Sequence, residues 1–209
     1  MTRAQVTALL ALAVLTWAAW MIFAGLSVGT EQLGPFSFAV TVLIAAVAAF
    51  NLYLWRWPVF RSLLSERPVL AGIWKVEIAS SFLDAQTGQG KLIEGYYLIR
   101  QTYSHLSIRF FTRETTSKTQ AAQLVKSEDG EWTLQGTYLD TPAAAFQAGS
   151  PIHFGAFSLL LAGHPVVESF EGRYWTTRET AGAVRSLARV AVSEVSSFEA
   201  ASKLFAKSA

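Results

Sequence analysis

Six residues near the carboxyl end of the chain fall at steady steps of two: Gly172, Tyr174, Thr176, Arg178, Thr180 and Gly182. Residues two apart on an extended strand project from one face, and this face is polar and aromatic. An Arg flanked by Thr hydroxyls is a receptor for a phosphate. A Tyr ring is a platform on which a base can stack. Alternation alone fits a solvent-facing row as well as an inward one, so the side it faces stays open. A second set joins two neighbouring strands: Tyr97, Gln101 and Tyr103, then Thr112, Glu114 and Thr116. Gln101 shares its face with Ile93 and Ile99, where an amide either reads a base edge or bonds to backbone within the core. The candidate ligand-binding residues are therefore Tyr97, Gln101, Thr112, Tyr174, Thr176, Arg178 and Thr180.

Signatures of catalysis fail. Gly88-Gln-Gly-Lys91 resembles a phosphate loop, but Leu92 stands where Ser or Thr is required and the upstream Gly is missing. No Gly-x-Ser-x-Gly elbow occurs. There is no Cys, which excludes disulfides, thiolate metal sites and a Cys nucleophile. His105, His153 and His164 are scattered over turns and loops without metal-ligand spacing. Of these, His153, beside Pro151, is kept as a site candidate. No catalytic residue, metal or cofactor is expected. Beyond Pro58 the chain carries 15 basic against 14 acidic residues and no basic run, which speaks against duplex DNA or RNA as partner.

Short strands must position these residues. Alternation predicts strands over Leu70–Ile78, Leu92–Tyr103, Leu106–Arg113, Thr119–Lys126, Glu131–Leu139, Phe154–Ala162 and Val166–Thr177. Ala183–Val192 is an eighth strand or a helix, and Glu194–Ala206 reads as a short terminal helix. Asp84–Gly90 and Ser127–Gly130 carry the turn residues. Seven or eight strands with turns every 8–12 residues point to a small antiparallel barrel or sandwich. Trp74, in Gly72-Ile-Trp74, resembles the Gly-x-Trp of lipocalin first strands, where the indole plugs the barrel floor.

The amino-terminal third is of another kind. No charge lies in the 27 residues between Arg3 and Glu31, nor in the 24 between Glu31 and Arg56. At about 1.5 Å of rise per residue, both stretches can cross a hydrocarbon core of about 30 Å. They predict two spans, Ala4–Val28 and about Phe36–Trp55, joined by the polar connection Ser27–Pro35. The first is nearly twice the length of a signal-peptide apolar region. Arg3 before the first span, and Arg56, Arg61 and Arg67 after the second, put both termini in the cytoplasm by the positive-inside rule. Tyr53, Trp55 and Trp57 stand where rings prefer the lipid–water interface. The expected divisions are a two-transmembrane hairpin over 1–57, a connector over 58–68 and a cytoplasmic barrel domain over 69–209.

With these elements in place the chain resembles the two-transmembrane, β-strand-rich effectors associated with bacterial CD-NTases in CBASS antiphage systems. The matching stretches are Pro68-Val-Leu-Ala-Gly-Ile-Trp74, then Gln101–Ser107 through Thr112, and above all Gly172-x-Tyr-x-Thr-x-Arg-x-Thr-x-Gly182. The resemblance implies an eight-stranded antiparallel β-barrel that binds a cyclic di- or trinucleotide. It implies a multi-pass protein of the bacterial inner membrane, self-association on activation, disruption of membrane lipid, and death or growth arrest of the infected cell. A CD-NTase is the implied functional partner. The competing reading is a membrane-tethered lipocalin-like carrier of a small apolar ligand.

Overall fold

The computed structural model of the chain describes residues 3–23, 25, 33–64, 66–83, 88, 90–192 and 194–208. They form two compact units, one of Met1–Ser65 with Thr102–His105, the other of Glu66–Gln101 with Leu106–Ala209.

The first unit holds α1 (Arg3–Phe23), α2 (Leu33–Leu52), a 3-10 turn (Leu54–Arg56) and α3 (Pro58–Leu64). Helix α2 begins three residues before the expected Phe36. Leu33-Gly34-Pro35 is its first turn, where proline is tolerated because those N–H groups have no intrahelical partner. The rest of the expected connection, residues 27–32, lies outside the described residues. Among the described residues no helix is long and apolar enough to cross a membrane. Trp55, expected at an interface with Tyr53 and Trp57, is fully buried, whereas those two are exposed. Trp55 packs against Tyr103 with ring centroids 6.3 Å apart, and Phe50 meets the same ring at 5.1 Å. Asn51 fastens this cluster. Its Oδ1 accepts from the Ser104 N–H at 3.0 Å and the Ser104 hydroxyl at 2.9 Å, and its carbonyl accepts from the Tyr103 N–H at 2.9 Å. Thr102–His105 is itself a closed turn, with Thr102 N–H donating to His105 O at 2.8 Å.

The second unit is a closed antiparallel barrel in which each strand pairs with the next and β8 returns to β1. Its strands are β1 (Gly72–Leu83), β2 (Gly90–Gln101), β3 (Leu106–Phe111), β4 (Thr115–Lys126), β5 (Trp132–Pro142), β6 (His153–Ala162), β7 (Ser169–Thr176) and β8 (Ala181–Val190). The helix alternative for the eighth element is therefore excluded. Closure leaves no free sheet edge. It also sends every second side chain inward, which is why Val76 and Ile78, Tyr97 and Ile99, and Leu106 and Ile108 share one core. Strand β4 starts four residues before the expected Thr119. A register shift between Thr119 and Ala121 changes which of its residues face in, so the polar Ser117 is buried near one end and Leu124 packs on the apolar core near the other.

One end of the barrel is filled. Trp74 is fully buried there, donating its indole N–H to Leu70 O at 2.9 Å, with the Phe170 ring at 5.0 Å. The Arg189 guanidinium lies 5.1 Å from the Trp74 ring and donates to Ala71 O at 2.6 Å and Val167 O at 3.1 Å. Outside the barrel, α4 (Phe198–Ser208) covers a second apolar cluster, where Tyr96 meets Phe198 and Phe205 at 5.2 and 5.4 Å.

Candidate functional site

The other end of the barrel is hollow. A cavity of about 460 Å³ opens there, within the range of small-molecule sites. Its walls come from the later residues of β1, β3, β5 and β7 and the earlier residues of β2, β4 and β6, with Thr180 just before β8 and Phe198 of α4. An up-and-down barrel brings those ends together although they are scattered in sequence.

The two-step row that marks the sequence is not one strand. It folds over a hairpin. Thr176 N–H donates to Thr180 O at 2.9 Å, Glu179 N–H donates to Thr176 O at 3.2 Å, and Glu179 takes a φ of 60°. Arg178 therefore sits in the turn, with Thr176 and Thr180 at the strand ends, their hydroxyls 2.7 Å apart. The expectation of a continuous extended row is corrected, because three turn residues break the alternation. Tyr174, Thr176, Arg178 and Thr180 nonetheless all line the cavity. Tyr174 pairs across strands with Gly182, and a Cβ on Gly182 would come within 2.6 Å of Tyr174 Cε1. Glycine is what lets the ring lie flat there.

Arg178 stands at the rim. It donates through Nη1 to Ser150 Oγ at 2.7 Å and through Nη2 to Gly149 O at 3.2 Å, and its guanidinium lies 5.7 Å from the Phe82 ring. None of these partners carries a charge, so the guanidinium keeps its full positive charge for an anion. Deeper in, Tyr97, Tyr138 and Tyr174 line the cavity together. Burial is the main cause that raises all three phenol pKa values. Mutual proximity adds to the rise for Tyr97 and Tyr138, and the Asp140 carboxylate adds further for Tyr138. All three therefore stay neutral hydroxyl donors at physiological pH. Tyr174 donates to Ser80 Oγ at 2.6 Å.

A polar wall faces them. Asp140, at the end of β5, is 5% exposed and lines the cavity. It accepts from the Thr115 hydroxyl at 2.6 Å and from the Ser117 hydroxyl. His153 Nδ1 lies 3.9 Å from its carboxylate and donates to Pro151 O at 2.9 Å. At the mouth, Lys91 and Glu114 pair at 2.6 Å. Among the described residues no group of three or more His, Asp or Glu side chains is placed to hold a metal ion.

Of the seven candidate residues, six line the cavity: Tyr97, Thr112, Tyr174, Thr176, Arg178 and Thr180. Thr112 is there as a turn-former, its hydroxyl accepting from the N–H groups of Glu114 and Thr115 at 3.1 and 3.0 Å. Gln101 is elsewhere. It is 6% exposed at the filled end, where its amide donates to Pro68 O at 2.9 Å and accepts from Leu70 N–H at 2.8 Å. Of the two readings of Gln101, the structure places it in the core one. Tyr103 belongs to the turn of the helical unit. Alternation did not single out Asp140, Ser117, Thr115, Tyr138 or Ser80. The run Leu134, Gly136, Tyr138, Asp140 held the signal, an inward row that ends in an acid.

Fold and site together define a small closed meander barrel, plugged at one end, with an aromatic and charged cavity at the other. The family model described as Cap15, cyclic dinucleotide receptor domain, matches residues 65–187, from just before β1 into β8. That is more than half of the chain, and the chain belongs to this family of CBASS effectors. No curated protein matches the chain.

Proposed function

We propose that the barrel binds a cyclic dinucleotide in its open end and that binding drives the chain to self-associate and disrupt the inner membrane through its amino-terminal hairpin. The observation that carries the reading is the cavity itself, whose lining residues, Phe198 apart, lie inside the stretch matched by the receptor-domain family. Arg178 at the rim meets a phosphate, and the neutral phenols of Tyr97, Tyr138 and Tyr174 offer rings to stack on and hydroxyls to donate. A lipocalin-like carrier would line its cavity with apolar groups throughout, and Arg178, Asp140, Lys91 and Glu114 do not suit that ligand.

The sequence supports the membrane half of the reading. The charge-free stretches on either side of Glu31 are each long enough to cross a bilayer as helix. The basic residues around them favour cytoplasmic termini. Small residues such as Ala18, Ala19, Ala45 and Ala46 permit close helix approach. With no charge inside either stretch, one hairpin has no conducting path of its own, so harm requires several copies brought together. Ligand shifts that equilibrium only by favouring the assembled state. The signal would come from a nucleotidyltransferase of the CD-NTase class.

The test is in cells. Full-length protein expressed with a source of cyclic dinucleotide should admit a membrane-impermeant dye and arrest growth, and deletion of residues 1–57 should abolish both. If the truncated protein kills as well as the full chain does, the membrane mechanism is wrong.

A further inference from the structure

The cavity contains a group that the phosphate chemistry above does not use. Asp140 is a buried carboxylate, and among the described residues the only basic group within ion-pair distance is His153, at 3.9 Å, whose Nδ1–H is already given to Pro151 O. A buried carboxyl group is costly unless hydrogen-bond donors supply it. The hydroxyls of Thr115 and Ser117 supply two. A carboxylate has about four acceptor sites; the two hydroxyls use one on each oxygen, and Asp140 lines the cavity.

That demand is specific when set against the edges of the nucleobases. A carboxylate accepts and does not donate. Adenine and cytosine each present one exocyclic amine beside a ring nitrogen that is itself an acceptor, and that nitrogen would repel the second oxygen. Uracil presents one N–H between two carbonyls. Only guanine presents two adjacent donors, N1–H and the N2 amine, which a carboxylate takes as a parallel pair in the way it takes an Arg fork. The Thr115 and Ser117 hydroxyls hold the carboxylate in place for this, since both sit on β4 and reach across to β5.

We propose that Asp140 is the base-reading residue of the cavity and that the ligand it selects is a cyclic dinucleotide containing guanine. The assignment rests on the cyclic dinucleotide reading given above. It makes Arg178 and Asp140 complementary: one meets phosphate and is indifferent to sequence, the other reads a base.

The test is calorimetric titration of the full-length protein in detergent with cyclic di-GMP, cyclic di-AMP and cyclic di-UMP. Wild type should bind cyclic di-GMP at least about tenfold more tightly than the other two, the smallest ratio expected from a charge-assisted hydrogen bond. Asp140→Asn replaces one acceptor with a donor, the pattern that an adenine edge matches. It should lose the preference and move the ranking toward cyclic di-AMP. The wild-type ranking needs no variant, so it decides the matter even if Asp140→Asn fails to fold. Equal or tighter binding of cyclic di-AMP or cyclic di-UMP by wild type overturns the role of Asp140 while leaving the receptor reading intact. Absence of binding for all three overturns the guanine assignment, because cyclic di-GMP presents the edge that Asp140 would read; the receptor reading falls only if no cyclic dinucleotide of a wider panel binds.

Discussion

The Arg178 guanidinium donates to the Ser150 hydroxyl at 2.7 Å, linking the β7–β8 hairpin to the segment that precedes β6. A neutral partner orients the cation without neutralising it. The consequence is a graded pair of variants. Arg178→Ala removes a charge-assisted contact of roughly 1.5–3 kcal/mol and should weaken cyclic dinucleotide binding about tenfold to hundredfold. Ser150→Ala leaves the charge in place and should weaken it by less than about tenfold. Titration of both variants checks the order, and equal affinity of Arg178→Ala and wild type would place the anion elsewhere.

Gly182 gives Tyr174 its place. A side chain there would press on Tyr174 Cε1 and on the Ala79 carbonyl oxygen. Gly182→Ala should destabilise the barrel by about 1–3 kcal/mol, the usual cost of overpacking. It should also lower affinity by displacing the ring. Urea unfolding with and without ligand separates the two effects.

Asn51 holds the Thr102–His105 turn within the helical unit, and that turn is continuous with β2 and β3. Asn51→Ala removes two hydrogen bonds to Ser104, each worth about 1 kcal/mol. If the turn carries the signal from barrel to hairpin, the variant binds ligand as wild type does and permeabilises cells less. Dye uptake at matched expression measures this.

The three cavity phenols set an alkaline limit. Unfolded phenols ionise near the ordinary value of 10.0, whereas the buried ones hold their protons to higher pH. Above that value the folded state binds more protons than the unfolded, so stability falls as pH rises, and it is unaffected well below it. Melting temperature should be level from about pH 7 to 9 and decline beyond about pH 10. Replacing Tyr97 and Tyr138 with Phe should flatten the decline.

What could be read from sequence follows from how local each signal is. Strand alternation is local, so Leu106, Ile108 and Phe110 marked β3 without help. The Thr119–Ala121 irregularity is not visible in composition, and it disguised Thr115 and Ser117 as an ordinary polar stretch. Gln101 was ambiguous because its partners, Pro68 O and Leu70 N–H, lie more than thirty residues away. The row from Gly172 to Gly182 located the right residues with the wrong geometry, since steps of two survive a hairpin when the turn also carries a site residue. Asp140 was missed because barrel closure, which no short window reports, is what brings it into the same cavity as Tyr97.

The open end of the barrel is proposed as a receptor for a cyclic dinucleotide. Titration of the full-length protein in detergent against a panel of cyclic dinucleotides, beside the Arg178→Ala variant, tests it most directly. Saturable binding of at least one member of the panel to wild type is expected, weakened about tenfold or more in the variant. Failure of wild type to bind any of them would contradict it.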